Sequence, residues 1–349
     1  MAITLAEAQT NTQDDIDFAI IDELRRYSWL LDQVTWDDVV NPSGGGATLT
    51  YGYTRLIAPR GASWRPYNEN YTADAATRQR FTVDLSPLGG TYQLDRVLAH
   101  LGPRATDEMA FQVSELLTGV RMKFSEEIIR GDVSNNPDMD AEDSGAGSAG
   151  FDGLDVSLAG TVTELGADET PGEGDASGSD WTAVNSDQDA FDAIERLEEM
   201  LSLLNGQPGA IMTNRHGMIK LSSIGRRAGY LTESEDAMGR RITTFAGIPI
   251  VDLGDTNDSA GSAEPIIPTE GRTIGDDTEE TSGVTDIYAV RFGMNAFHGV
   301  SVAGPLVRQW EPDWDTSGAV KTGEVEMGPV AMVLKNTRTA GVLRNVKVR

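Results

Sequence analysis

The spacing of hydrophobic residues changes character along this chain, and the clearest pattern lies at residues 106–131. Apolar side chains fall there at Met109, Val113, Leu116, Leu117, Val120, Phe124 and Ile128, spaced by threes and fours. That is the helical period, and it predicts one amphipathic helix. Thr106 stands where an N-cap belongs, Asp107 and Glu108 complement the dipole in the first turn, and Arg130 with Gly131 marks the end. Such a helix is about 36 Å long at the α-helical rise. It is either a buried core element or a beam across a flat subunit, and its flanks decide which.

Before it the period falls to two. Ala47, Leu49, Tyr51 and Tyr53 alternate with polar or small residues, as do Phe81, Val83 and Leu85, and then Tyr92 and Leu94. Half-buried strands have this alternation. Between the first two runs lies a charged, Pro- and Gly-containing stretch, residues 57–80. The prediction is a long antiparallel hairpin with an irregular tip. A loop that long has no core of its own and needs something outside the subunit to order it. Upstream, Thr12 caps a predicted helix running to about Leu31, with Ile16, Ile20, Leu24, Tyr27 and Leu31 on one face. Residues 42–46, PSGGG, form a break.

After the long helix come a polar loop at 132–149, a small apolar anchor at Phe151-Asp152-Gly153-Leu154, and an acidic Gly-rich stretch at 166–180. Both polar stretches have the composition of partly disordered segments. A second helix is predicted from Ser186 to Asn205, with Phe191, Ile194, Leu197, Leu201 and Leu204 inward. A buried strand at Ala210, Ile211 and Met212 leads to Asn214, which caps a third helix to about Ala228. Residues 243–253 read as two short strands about a Gly turn, and 255–285 as an acidic connection. Strands follow at 287–292, 299–307, 330–335 and 342–348. Helices and strands mix without βαβ alternation, so the class is α+β.

Composition narrows the function. Lys and Arg number 28 against 55 Asp and Glu, a net charge of −27. A dedicated nucleic-acid binder needs a basic footprint, which this chain lacks overall. Charge is uneven: residues 132–180 hold 13 acids and no Lys or Arg, while 321–349 hold six cations and two Glu. There is no cysteine, which removes disulfides and thiol chemistry. No apolar run is long enough for a membrane span, and the N-terminus has no signal-peptide pattern. His100, His216 and His298 share no metal-ligand spacing. Asp138, Asp140 and Glu142 alternate like a calcium loop, but Asp143 stands where Gly is required and Ala149 where a bidentate Glu is required. No phosphate-binding or nucleophile motif is present. Trp64 sits in the hairpin tip, where it makes sense as an interface anchor.

In order, these segments resemble a tailed-bacteriophage major capsid protein of the Hong Kong 97 type. The resemblance covers nearly the whole chain and rests on segment order: hairpin, long helix, Phe151-Asp152-Gly153-Leu154, helix, Ala210-to-Asn214 strand, helix, and the strand at 245–250. It implies an N-terminal arm at 1–31 and an extended loop (E-loop) at 46–95. A peripheral domain is implied at 32–45, 96–184 and 300–335, with the spine helix at 106–131. An axial domain follows at 185–299 and 336–349. The implied function is a non-enzymatic shell subunit, assembling as hexamers and pentamers into an icosahedral head around double-stranded DNA, with no cofactor. Implied partners are further copies of itself, a portal, a separate scaffolding protein, a decoration or cement protein, and DNA contacted non-specifically, but no membrane. The implied location is the virion, assembled in the cytoplasm of a host bacterium. Inter-subunit contact candidates are Arg60, Trp64, Arg65, Tyr67, Arg78 and Arg80 in the extended loop. Some family members crosslink through a Lys there; residues 47–94 contain none, so the arm must hold noncovalently. Gly44–Gly46 and Gly89-Gly90 are candidate hinges between symmetry environments. The alternatives are an encapsulin, which shares the fold, encloses cargo enzymes and usually lacks the N-terminal arm, and an acidic soluble enzyme.

Overall fold

The structure, a computed structural model, describes residues 29–40, 49–97, 108–134, 149–229, 231–235, 241–257, 263–275 and 279–349. Helix α1 (Trp29–Gln33) leads into strand β1 (Trp36–Val40). Strands β2 (Thr50–Ala58), β3 (Thr77–Asp84) and β4 (Ser86–Asp95) follow. Next come the long helix α2 (Glu108–Arg130), a short α3 (Leu154–Leu158) and β5 (Glu164–Leu165). Helix α4 (Asp187–Ser202), strand β6 (Ala210–Thr213) and helix α5 (Arg215–Ala228) are consecutive. Short strands β7 (Leu231–Glu235), β8 (Arg241–Phe245), β9 (Ile248–Asp252), β10 (Asp255–Asn257), β11 (Ala263–Pro265) and β12 (Glu270–Thr273) precede β13 (Glu280–Val290). The last strands are β14 (Phe297–Val302), β15 (Val307–Trp310), β16 (Val320–Leu334) and β17 (Ala340–Lys347).

Two larger sheets result. One has five strands in the order β1-β14-β16-β15, with β4 also on β16. The other has eight, β5-β17-β13-β6-β9-β8-β7, with β12 on β13. The eight-stranded sheet separates two hydrophobic cores, and strand alternation does the separating. From β13, Tyr288 and Val290 enter the core beneath α2, while Ile287 and Ala289 enter the core beneath α4 and α5. From β6, Ala210 and Met212 go to the first core and Ile211 to the second. Strands buried on both faces read as continuous apolar runs, which is how β6 and the C-terminal half of β13 stand in the sequence.

Helix α2 crosses the five-stranded sheet. Val120, Phe124 and Ile128 of its predicted stripe are buried, whereas Met109, Val113, Leu116 and Leu117 nearer its start are half-buried. Phe124 stacks on Trp36 at 5.7 Å and meets Phe151 at 5.5 Å between ring centroids. The anchor predicted at Phe151 and Leu154 is present, and both side chains are buried. Its glycine has a close-packing reason. The Gly153 N–H donates to Gly131 O at 2.8 Å, and a Cβ on Gly153 would lie 2.6 Å from the carbonyl oxygens of both Glu127 and Ile129. Gly153 thus lets the chain fold back onto the last turn of α2.

Several expectations change. Thr12 through residue 28, the break at 42–46, Thr106, His100, and residues 135–148 with the rejected calcium loop lie outside the described residues. The run at Tyr92 and Leu94 forms β4, which pairs with β16 across Asp95↔Val320 to Ser86↔Val330 instead of joining the hairpin. Gly89 and Gly90 lie within β4; a Cβ on Gly89 would meet Val325 O at 2.5 Å and one on Gly90 would meet Leu116 at 2.7 Å. Their role there is close approach, not a hinge. The stretch at 166–180 is packed: a 3₁₀ turn at Gly174–Ser179 lies on α4, and Trp181 is buried behind it. The connection at 255–285 carries β10, β11, β12 and the start of β13. Strand β16 begins at Val320, well before the predicted 330, because Lys321, Gly323 and Val325 alternate inward along a less apolar half.

Replacing Gly153 with Ala forces a methyl group into backbone oxygens that cannot swing aside. Overpacking of this kind costs about 1–3 kcal/mol. The thermal midpoint of purified Gly153→Ala is expected to fall by several degrees, whereas Gly160→Ala, on a residue whose Cβ would meet nothing, is limited to its backbone strain.

Candidate assembly surface

Strands β2 and β3 pair only with each other, from Thr50↔Asp84 to Ala58↔Thr77. At the strand rise a nine-residue strand spans about 30 Å. Only its base touches the body. Tyr51 is buried there, with its hydroxyl donating to Asp37 Oδ2 at 3.2 Å. Tyr53 stacks on its cross-strand partner Phe81 at 5.7 Å and donates to Leu334 O at 3.3 Å. Arg55 lies over the Phe81 ring at 4.5 Å, donates through Nε to Lys335 O at 2.9 Å, and also reaches Leu334 O. Lys335 in turn stands over Tyr51 at 5.4 Å. The root is therefore an aromatic and cationic clamp on the end of β16.

Beyond the root everything faces solvent. Leu56 and Ile57 are more than half exposed, Trp64 and Tyr67 essentially fully so, and Tyr71 largely so. The tip still has a local shape. Asp74 accepts from the N–H groups of Gly61 at 3.1 Å and Ala75 at 2.8 Å. Arg65 donates to Pro66 O and Glu69 O at 3.2 and 3.1 Å and lies over Tyr71 at 5.2 Å. Arg80 lies across Gly52. Among the described residues no carboxylate forms an ion pair with Arg60, Arg65, Arg78 or Arg80. The six residues singled out in the sequence thus share one exposed arm. Arg60, Trp64, Arg65 and Tyr67 gather at its tip, and Arg78 and Arg80 sit on its β3 edge. The sequence reading missed the clamp. Its signal was present as aromatic residues at Tyr51, Tyr53 and Phe81, whose facing depends on register.

Beneath the root lies His298, fully buried on β14, with the Tyr51 ring edge-on at 6.1 Å. Neither of its ring nitrogens is hydrogen-bonded. Burial first, and then the Lys335 charge, push its pKa below the usual histidine range. The ring is held neutral. Among the described residues no group of three or more His, Cys, Asp or Glu could hold a metal, and no helix is long and apolar enough to cross a membrane. His216 is exposed on α5.

Solved structures match the chain nearly end to end. A chain of the holo-SrpI encapsulin complex of Synechococcus elongatus aligns with 100% of this chain and 97% of its own, at 13% identity and a TM-score of 0.60. A chain of Mycobacterium phage Bobi aligns over 98% of both, at 14% identity and a TM-score of 0.56. The capsid of a native GTA particle covers 98% of this chain and 97% of its own, at 14% identity and a TM-score of 0.55. The chain has the phage-capsid fold, of the Hong Kong 97-like kind. No protein-family model and no curated protein matches the sequence. At such identities the likeness is one of fold, carried by element order and not by conserved motifs.

Two outcomes follow from the hairpin and the histidine beneath it. Trp64→Ala removes a side chain that touches nothing in its own chain, so the thermal midpoint of the unassembled subunit should stay put, within about 0.5 kcal/mol of wild type. Phe81→Ala, which strips the stack under Tyr53 and Arg55, should lower it. The second outcome concerns pH. A depressed folded pKa means that protonation favours the unfolded chain, so the His298 contribution is intact above about pH 6.5 and is lost as pH falls below it. Thermal midpoints measured from pH 7.5 down to about 5 should fall more steeply for wild type than for His298→Phe.

Proposed function

We propose that this chain is the major capsid protein of a tailed bacteriophage, a non-enzymatic subunit that assembles into an icosahedral shell around double-stranded DNA. The observation that carries the reading is the arm: a hairpin clamped at its root, bare at its tip, on a chain that matches shell subunits over its whole length. In this reading β2, β3 and their tip are the extended loop, lying on a neighbouring subunit, with β4 left in the body. Helix α2 is the spine of a peripheral domain built on the five-stranded sheet. Helices α4 and α5 with the eight-stranded sheet form the axial domain, and residues 1–31 are assigned to an N-terminal arm distinct from the hairpin. Contacts from Arg60, Trp64, Arg65, Tyr67, Arg78 and Arg80 stand on the chemistry of the hairpin: an exposed Trp anchor on a ribbon that carries guanidinium groups, which suit carboxylates. The acidic stretch at 132–180 supplies carboxylates of the right sign. Single exposed pairs contribute under about 1 kcal/mol, so stability comes from many contacts repeated by symmetry. A portal, a scaffolding protein, a decoration protein and packaged DNA complete the set of partners. Assembly takes place in the host cytoplasm.

An encapsulin is the second reading, favoured by the full-length match to the Synechococcus shell. Electron microscopy of particles purified from an expressing or infected cell separates the two: DNA-filled heads support the phage reading, protein-filled shells the encapsulin, and the absence of particles neither. Trp64→Ala and Arg60→Glu are expected to give folded subunits with particle yield reduced at least tenfold. Wild-type yields from both would remove the arm from the account.

A further inference from the structure

Helices α4 and α5 lie side by side over the eight-stranded sheet, and each leaves a stripe in solvent. On α4 the stripe holds Asp187, Phe191, Glu195 and Glu198; on α5 it holds Arg215, Ile219 and Arg226. The two stripes share one pattern. A charged residue is followed four positions on by a large apolar residue, and eleven positions on by a second charge of the same sign. The signs are opposite. Helix α4 carries six carboxylates, and its single cation, Arg196, is buried and paired with Glu169 and Glu199. Helix α5 carries four cations and no carboxylate. Phe191 and Ile219 are 46% and 55% exposed, although sequence periodicity places Phe191 inside. The helix is rotated so that Ala190, Ala193, Ile194 and Leu197 face the sheet, and Phe191 is left out.

The two stripes do not neutralise each other within the chain. Among the described residues a single ion pair, Arg227 to Asp187 at 3.9 Å, joins the two helices. Glu195, Glu198, Arg215, Lys220 and Arg226 form no ion pair there. An acidic stripe with a central Phe and a basic stripe with a central Ile are complementary to each other and not to themselves. Two copies can satisfy them head to tail, one stripe of each at a time, or face to face about a two-fold axis, both at once.

We propose that α4 of one copy docks on α5 of the next, Phe191 against Ile219, with the acidic stripe facing the basic one. A contact between two different patches of the same chain is heterologous and repeats until it closes. The occupant of each stripe is a second copy, because the complement each stripe needs is displayed on the same molecule in the same pattern. This deepens the shell reading and rests on it for the choice of a ring over a two-fold pair and for what the closed ring belongs to. It is a contact separate from the arm.

The full chain has no cysteine, so a pair of introduced cysteines reports the contact without background. Phe191→Cys with Ile219→Cys in one chain, oxidised mildly and run without reductant, should give a ladder of multimers ending at the closed ring; a product that stops at the dimer would mean a two-fold pairing of both helices and would overturn the head-to-tail contact. Either substitution alone should give no more than dimers. Glu195→Lys with Glu198→Lys should reduce multimer formation at low salt at least tenfold, as should Arg215→Glu with Arg226→Glu. All four together should restore it, and added salt should weaken the wild-type contact. Loss from the α4 variant alone, with the α5 variant unaffected, would mean that a basic partner other than this chain sits on α4, and would overturn the proposal. So would particles without a disulfide ladder, which would leave the shell reading standing. A ladder from soluble rings that never form particles would keep the contact and remove the shell.

Discussion

Everything in this subunit hangs on strands β13 and β17, which are buried on both faces and shared by two cores. A strand so placed has no free side for a polar group, yet β13 carries Asp286, which is only 2% exposed. A buried carboxylate is tolerable only when paired and hydrogen-bonded. Arg272 meets it through two bonds of 2.8 and 2.9 Å, Arg344 approaches at 3.2 Å, and the Asn345 N–H donates at 3.0 Å. Burial works against the charge on both arginines, but the acidic groups around them outweigh it, Asp286 and Glu270 for Arg272 and Tyr288, Asp286 and Asp155 for Arg344, and each is held more firmly cationic than usual. Arg344 also reaches Asp155 on α3 and Glu164 on β5, at 2.8 Å to the latter. Burial, and then the nearby carboxylates Asp286 and Asp155, keep Tyr288 neutral. One ionic knot thereby ties the segment that closes α2 to the sheet beneath the other core.

Much of this was legible in the residues, for physical reasons that differ by element. The long helix α2, the start of α4 at Ser186 and the Asn214 cap rest on local spacing and short-range hydrogen bonds, which a sequence displays directly. The hairpin was legible because its period is two and its tip has no apolar partner. The ionic knot was not. In a chain with 55 acids no single carboxylate stands out, and Asp155, Glu164, Arg272, Asp286 and Arg344 meet only through tertiary contacts across nearly two hundred positions. The same holds for the clamp on the arm, where Arg55 and Lys335 come together from opposite ends of the chain. Phe191 failed for a different reason. Helical periodicity gives a stripe, but small residues such as Ala190 and Ala193 can take the inward positions and turn a large one outward.

Two outward-facing surfaces emerge, and they differ in kind. The arm offers an indole, two phenols and four guanidinium groups on a thin ribbon, so its energy comes from a few anchors. The helical face offers graded charge with one apolar residue on each side, so its strength depends on ionic strength and its specificity on register. If the chain builds a shell, as proposed, a subunit placed in more than one symmetry environment benefits from that division. The anchor can stay seated while a softer, charge-guided contact adjusts.

The tip of the arm is shaped before it meets anything, since Asp74 fixes Gly61 and Ala75, and Arg65 spans Glu69 and Tyr71. Much of the ordering entropy of a long loop is thus settled at folding and is not charged to association. The hairpin holds no lysine and the chain no cysteine, so neither residue is there to lock such an association covalently. A subunit seated in the wrong place can let go and dock again at little conformational cost. In the proposed shell, the growing lattice can then anneal its own errors, and its durability comes from closure.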